Sequence, residues 1–160
     1  MSRIIRSVAL SIALTLAACS SSDVSSLKPP SAPLPAAPTW SVAVTGCVKA
    51  SDCNTLRNGL VFRLTVAKLL QHAVPGNEAA PLTLGIAVTH LHVVSQASSN
   101  IYGVIAGRNE VTAIVTLKTA AGEILRSFKV TVKGGDYPFE DTIEDTYRQF
   151  DADVVAGLKA

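Results

Sequence analysis

Two histidines set two residues apart, His90 and His92 in "THLHVV", are the most metal-like pair in this sequence. On a strand they share a face and could chelate, but a catalytic metal site takes a third ligand. His72, beyond a loop, supplies none at a defined spacing, so the pair reads as polar histidines at a sheet edge and no metal is assigned. Glu140/Glu144 and Asp141/Asp145 are carboxylates four residues apart, the spacing of one helix face. Such a face, continued by Asp151 and Asp153, is expected to be solvated rather than catalytic. The serines at 95–99 lack the strand-turn-helix setting of a nucleophile elbow. "VKGGDYP" lacks the Lys-Ser/Thr ending of a phosphate loop. Arg108 in "AGRNE" could bind an anion, and exposed loop arginine is the simpler expectation. Cys47 and Cys53, in "TGCVKASDCNT", match no zinc spacing, and as thiols they have only Lys49 and Asp52 nearby to act on them. No catalytic residue, cofactor or enzymatic activity is assigned.

The third cysteine stands elsewhere. Residues 1–18 run from a basic start (Arg3, Arg6) through an apolar stretch, Val8 to Leu16, to the small residues Ala17 and Ala18. This is the layout of a secretory signal, and its apolar part is too short for a permanent membrane span. The ending "LAAC" resembles the lipobox of bacterial lipoproteins. That resemblance implies cleavage before Cys19 and acylation of Cys19, so that several acyl chains (palmitate among them) hold the chain on a membrane. Ser20 in place of Asp leans toward the outer membrane, facing the periplasm. With Cys19 acylated, Cys47 and Cys53 remain as an even pair in a compartment that permits disulfides. A bridge across five residues is sterically possible; free or regulatory thiols are the alternative.

Apolar residues make up 48% of the chain, inflated by the first 18. Without Arg3 and Arg6, Lys+Arg and Asp+Glu balance at 12 each, so the +2 formal charge belongs to the removable segment. A neutral chain with one Trp offers neither a phosphate-binding patch nor a stacking platform, and no nucleic-acid partner is expected. Residues 19–39, "CSSSDVSSLKPPSAPLPAAPT", hold five prolines and read as an extended tether of roughly 60 Å at about 3.1 Å per residue. The folded unit is then a single domain over 40–160.

Within it, Trp40, Val42 and Val44 alternate as a first strand. Asp52 or Asn54 could cap a helix over roughly 55–72, with Leu56, Leu60, Leu64 and Ala67 at helical spacing; Gly59 weakens it, and alternation at Leu60, Phe62, Leu64 and Val66 leaves a strand open. Leu82 to Ser95 forms the next strand. Residues 111–133 form a hairpin turning at Ala120-Ala121-Gly122, with a polar outer face carrying Lys118, Lys129, Thr131 and Lys133. Pro138 and Asp141 introduce a closing helix whose stripe is Phe139, Ile143, Tyr147, Phe150, Val154 and Leu158. The expectation is an α+β domain: a mostly antiparallel four-stranded sheet with two helices packed on one face, in the order β-α-β-β-β-α.

The lipobox, the helix before "PLTLGIAVTHLHVV", the hairpin pattern V-x-L-x-x-x-x-G-x-x-L from Val115 to Leu125 and the amphipathic closing helix together resemble small bacterial envelope lipoproteins. Related α/β domains occur in lipoproteins that assist lipopolysaccharide assembly, curli secretion and lipid transport. The resemblance implies a non-enzymatic accessory or assembly subunit of an envelope complex, with an envelope protein as partner. The alternative is a periplasmic binding module for a lipid, glycan or peptidoglycan fragment, which would carry an apolar pocket between sheet and helices. Arg108, Lys118, Lys129, Thr131 and Lys133 are the expected partner surface.

Overall fold

The computed structural model describes residues 21–30, 33–34, 39–94, 107–135 and 142–160. Among these residues six strands and two helices follow one another as β1 (Ser21–Lys28), β2 (Thr39–Thr45), α1 (Ala50–Val66), β3 (His72–Pro75), β4 (Leu82–His92), β5 (Glu110–Thr119), β6 (Ile124–Lys133) and α2 (Ile143–Lys159). The strands form one mixed sheet in the order β1-β6-β5-β4-β2-β3. β2 is parallel to both β3 and β4, and the remaining neighbours are antiparallel.

The four-stranded, mostly antiparallel sheet expected from the sequence is therefore corrected to six mixed strands, in the order β-β-α-β-β-β-β-α. Two causes account for the difference. Leaving β2 through α1 and returning to the sheet is a crossover, which makes the next strands parallel to β2. In addition, both sheet edges are strands with no apolar alternation. β3 has four residues and ends at Pro75. β1 lies inside the stretch read as a tether: Ser21 pairs with Lys133, Ser25 with Lys129 and Ser26 with Phe128. Lys28 Nζ donates to the Ile124 carbonyl at 2.8 Å, and farther on Leu34 packs against the core. The ordered structure thus begins well ahead of Trp40.

One sheet face is apolar through every central strand. Leu84 pairs with Leu117, Ile86 with Val115 and Val115 with Phe128, all buried. Leu56, Leu60 and Leu64 of α1 and Phe150, Val154 and Leu158 of α2 close over that face. α2 carries the sequence-predicted stripe and opens at Thr142. The Thr142 hydroxyl accepts from the Asp145 N–H at 3.2 Å, while Asp145 Oδ2 accepts from the Thr142 N–H at 3.2 Å, a reciprocal cap. Phe139, Pro138, Glu140 and Asp141 lie outside the described residues.

α1 starts and ends earlier than the expected 55–72. Its N-cap residue, Lys49, makes no side-chain cap, and the Cys47–Cys53 disulfide, with a Cα–Cα distance of 5.7 Å, fastens the first turn instead. At the other end Lys68 takes a left-handed conformation (φ 58°), and the Leu69 N–H returns to the Leu64 carbonyl at 3.0 Å. This turn ends the helix and tucks Leu70 into the core. Gly46 (φ +87°) lets the chain leave β2 over the β4 backbone at Val88, where a side chain would collide.

Candidate functional site

The two helices lie side by side, and a groove of about 250 Å³ opens between them on the side away from the sheet. On α1, Thr55, Gly59 and Arg63 recur every four residues and so face α2 together, with Phe62 at the rim. On α2 the lining residues are Glu144, Tyr147, Arg148 and Asp151.

Asp151 is the unusual member. It is only 4% exposed, and among the described residues its Oδ1 is buried with no hydrogen-bond partner. Gly59 makes room for it, since a β-carbon there would overlap Asp151 Oδ2. Burial pushes the Asp151 carboxyl up to about 8, and the positive charge of Arg63 partly opposes this. Tyr147 is pushed up to about 12, first by burial and then by the negative charges of Asp52 and Glu144. Arg148 is engaged with Asp145 at 3.2 Å. The site is therefore a buried, mainly neutral acid at the floor of a groove walled by two aromatic rings. An incoming hydrogen-bond donor or cation would satisfy the carboxyl, and a ring face favours a cation beside it.

Sequence reasoning put Asp151 on the solvated acidic face. The structure moves it to the helix interface. The available signal was its position: Asp151 follows Tyr147 by four residues and precedes Val154 by three, so it lies along the apolar stripe. A glycine in the middle of the opposing helix was the second sign. Glu144 is exposed and Asp145, half-buried, serves as part of the helix cap; their expected pair members Glu140 and Asp141 lie outside the described residues.

The expected partner residues lie elsewhere. Lys118, Lys129, Thr131 and Lys133 project from the sheet face that the helices leave open. Thr112 Oγ1 and Thr131 Oγ1 are hydrogen-bonded at 3.2 Å, and Lys133 Nζ stands 3.6 Å from Glu110. Arg108 is exposed just before β5 and is not on the strands that carry the lysines. His90 and His92 are exposed on β4, opposite Thr112 and Glu110, while His72 begins β3 at the far edge of the sheet. Among the described residues no three metal-ligating side chains come together. Cys19 lies outside them.

The layer interface is filled: Leu60, Leu84, Val115 and Phe150 are fully buried. A second cavity, of about 570 Å³, opens where Pro30, Pro33 and Leu34 pass Arg126 and Leu158. There the buried Arg126 donates from Nη1 to the Leu125 carbonyl at 3.0 Å. Among the described residues no helix is long and apolar enough to cross a membrane.

No family model matches the sequence, and no curated protein does. Solved structures do match. A PelC dodecamer from Paraburkholderia phytofirmans superposes with a TM-score of 0.63 at 14% identity, covering 89% of this chain and 99% of that one. A point variant of the same dodecamer gives a TM-score of 0.61 at 15% identity, covering 89% and 98%. The likeness is one of fold.

Proposed function

We propose that this chain is a lipid-anchored, non-enzymatic accessory subunit of a bacterial envelope complex, held on the periplasmic face of the outer membrane and working as an assembly of its own copies. The observation that carries the reading is the extent of the structural match: the fold accounts for 99% of a chain whose structure is a dodecamer. The signal and "LAAC" supply the envelope address.

The position of β1 supports the anchor. Only Ser20 separates Cys19 from β1, so an acylated Cys19 brings the Ser21/Lys133 end of the sheet up to the bilayer. The tether of roughly 60 Å is not needed for this reading. At the same end of the sheet stand two exposed apolar side chains, Val48 in the disulfide loop (89% exposed) and Val93 after β4 (45% exposed). Apolar groups there suit contact with the membrane interface.

Labelling with a fatty-acid analogue, membrane fractionation and mass photometry of the detergent-extracted protein test the reading. Wild-type protein should take up the label, sediment with outer membrane and run as a multimer. Cys19→Ala should lose the label and leave the membrane. Label-free membrane attachment would overturn the anchor, and a strictly monomeric extracted protein would overturn the assembly.

A further inference from the structure

Resting on the self-assembly just proposed, we infer that the helix groove of one copy receives the open sheet face of the next, with Lys129 of the neighbouring copy directed at Asp151 and Ile114 packed on Phe62.

Four observations converge on this contact. First, among the described residues Asp151 Oδ1 has no donor, and leaving such a group buried is costly until a donor arrives. Second, α1 carries a large apolar pair beside the groove: Phe62 is 67% and Val66 64% exposed, one helical turn apart. Third, the opposite side of the domain presents the complement. Ile114 is an exposed large apolar residue there (38%), and it is the cross-strand partner of the exposed Lys129. A groove with an apolar rim and a buried acidic floor thus lies on the helix side, and an apolar–cationic pair faces outward on the sheet side. Cross-strand partners lie about 5 Å apart and packed helices about 8–10 Å, so groove and pair fit within one footprint. The charges around the groove are Asp52, Glu144 and Asp151 against Arg63, with Arg148 already engaged by Asp145. This surplus is acidic once Asp151 ionises, and it favours a lysine.

Fourth, the sheet edges are poor alternatives. β3 is four residues long and ends in Pro75, which donates no hydrogen bond. β1 is interrupted by a register shift at Ser26/Lys28, and its Lys28 folds back onto Ile124. Contact between faces is left as the route of growth. Helix layer against sheet layer uses two different patches, so it is heterologous and runs head to tail, closing into a ring when the rotation permits.

Photo-crosslinking of the full, membrane-extracted protein with benzoylphenylalanine at position 62 tests the contact. The expected product is a crosslink between copies, mapped by mass spectrometry to residues 110–133. Phe62→Asp and Ile114→Asp alter exposed positions. Each should retain the native circular dichroism spectrum and weaken assembly at least tenfold, and Lys129→Glu should do the same. A multimer whose position-62 crosslinks fall on β1, β3 or another protein, or that forms none, overturns the contact and leaves the self-assembly standing. A wild-type chain that stays monomeric overturns both.

Discussion

Gly59 of α1 and the Asp151 carboxyl of α2 occupy contiguous space, so that glycine alone lets the two helices close over the acid. Gly59→Ala would gain about 1 kcal/mol of helix propensity but overpack a buried contact, at about 1–3 kcal/mol. The net expectation is destabilisation by up to about 2 kcal/mol in urea unfolding. In an Asp151→Ala background, where the overlap is gone, the same change should become neutral or stabilising.

The raised Asp151 sets a pH dependence. Below its ordinary value of 3.8, the carboxyl is protonated in both folded and unfolded chains. Between there and about 8 the unfolded chain has released the proton and the folded chain retains it. The folded state then binds more protons, and stability falls as pH rises, by at most about 1.4 kcal/mol per pH unit, levelling off above about 8. Asp153, raised by burial, adds to the same slope. Urea unfolding of dilute, monomeric protein at pH 5 to 9 should show this decline, and Asp151→Asn should flatten it.

Because Lys49 caps α1 without a side-chain bond, the disulfide carries the start of that helix. Closing so short a loop is worth about 2 kcal/mol. Reduction, or Cys47→Ser with Cys53→Ser, should lower the unfolding free energy by about that amount and preserve the sheet. Amide exchange should accelerate at residues 50–54 and stay slow in β4 to β6.

At the other helix, Thr142→Ala removes the hydroxyl half of the reciprocal cap, leaving the backbone N–H of residue 142 to Asp145, and should cost about 1 kcal/mol. Asp145 is held below its ordinary value chiefly by the Thr142 hydroxyl and backbone N–H. The stabilisation from that depressed carboxyl is present at neutral pH and lost as pH falls through its folded value. Removing the threonine should therefore raise the Asp145 midpoint, as read by carbon-detected titration.

The central strands and α2 were legible because burial imposes a period. Leu82, Leu84, Ile86 and Val88 alternate into one face, and Tyr147, Phe150, Val154 and Leu158 step along one helix side. The edge strands were not legible, because an edge is held by backbone hydrogen bonds and asks little of its side chains. "SSDVSSLK" pairs with β6 along nearly its whole length while most of its residues stay exposed. The Cys47–Cys53 pairing could be anticipated from cysteine parity once Cys19 was set aside. The groove could not, since it depends on Asp151 being enclosed by a helix nearly a hundred residues earlier in the chain.

The pairing of β1 with β6 has a consequence for how the protein is made. Ser21 finds its partner at Lys133, more than a hundred residues later, so β1 is made before the other described strands and is the last of them that can be seated. Closing so long a loop slows docking, whereas β5 and β6 meet across a tight turn at Gly122. A nascent chain therefore passes through a stage in which the β5–β6 hairpin is formed and the outer side of β6 is still bare. In that interval β6 presents an unpaired strand edge, and the sheet is sealed on that side only when β1 reaches it.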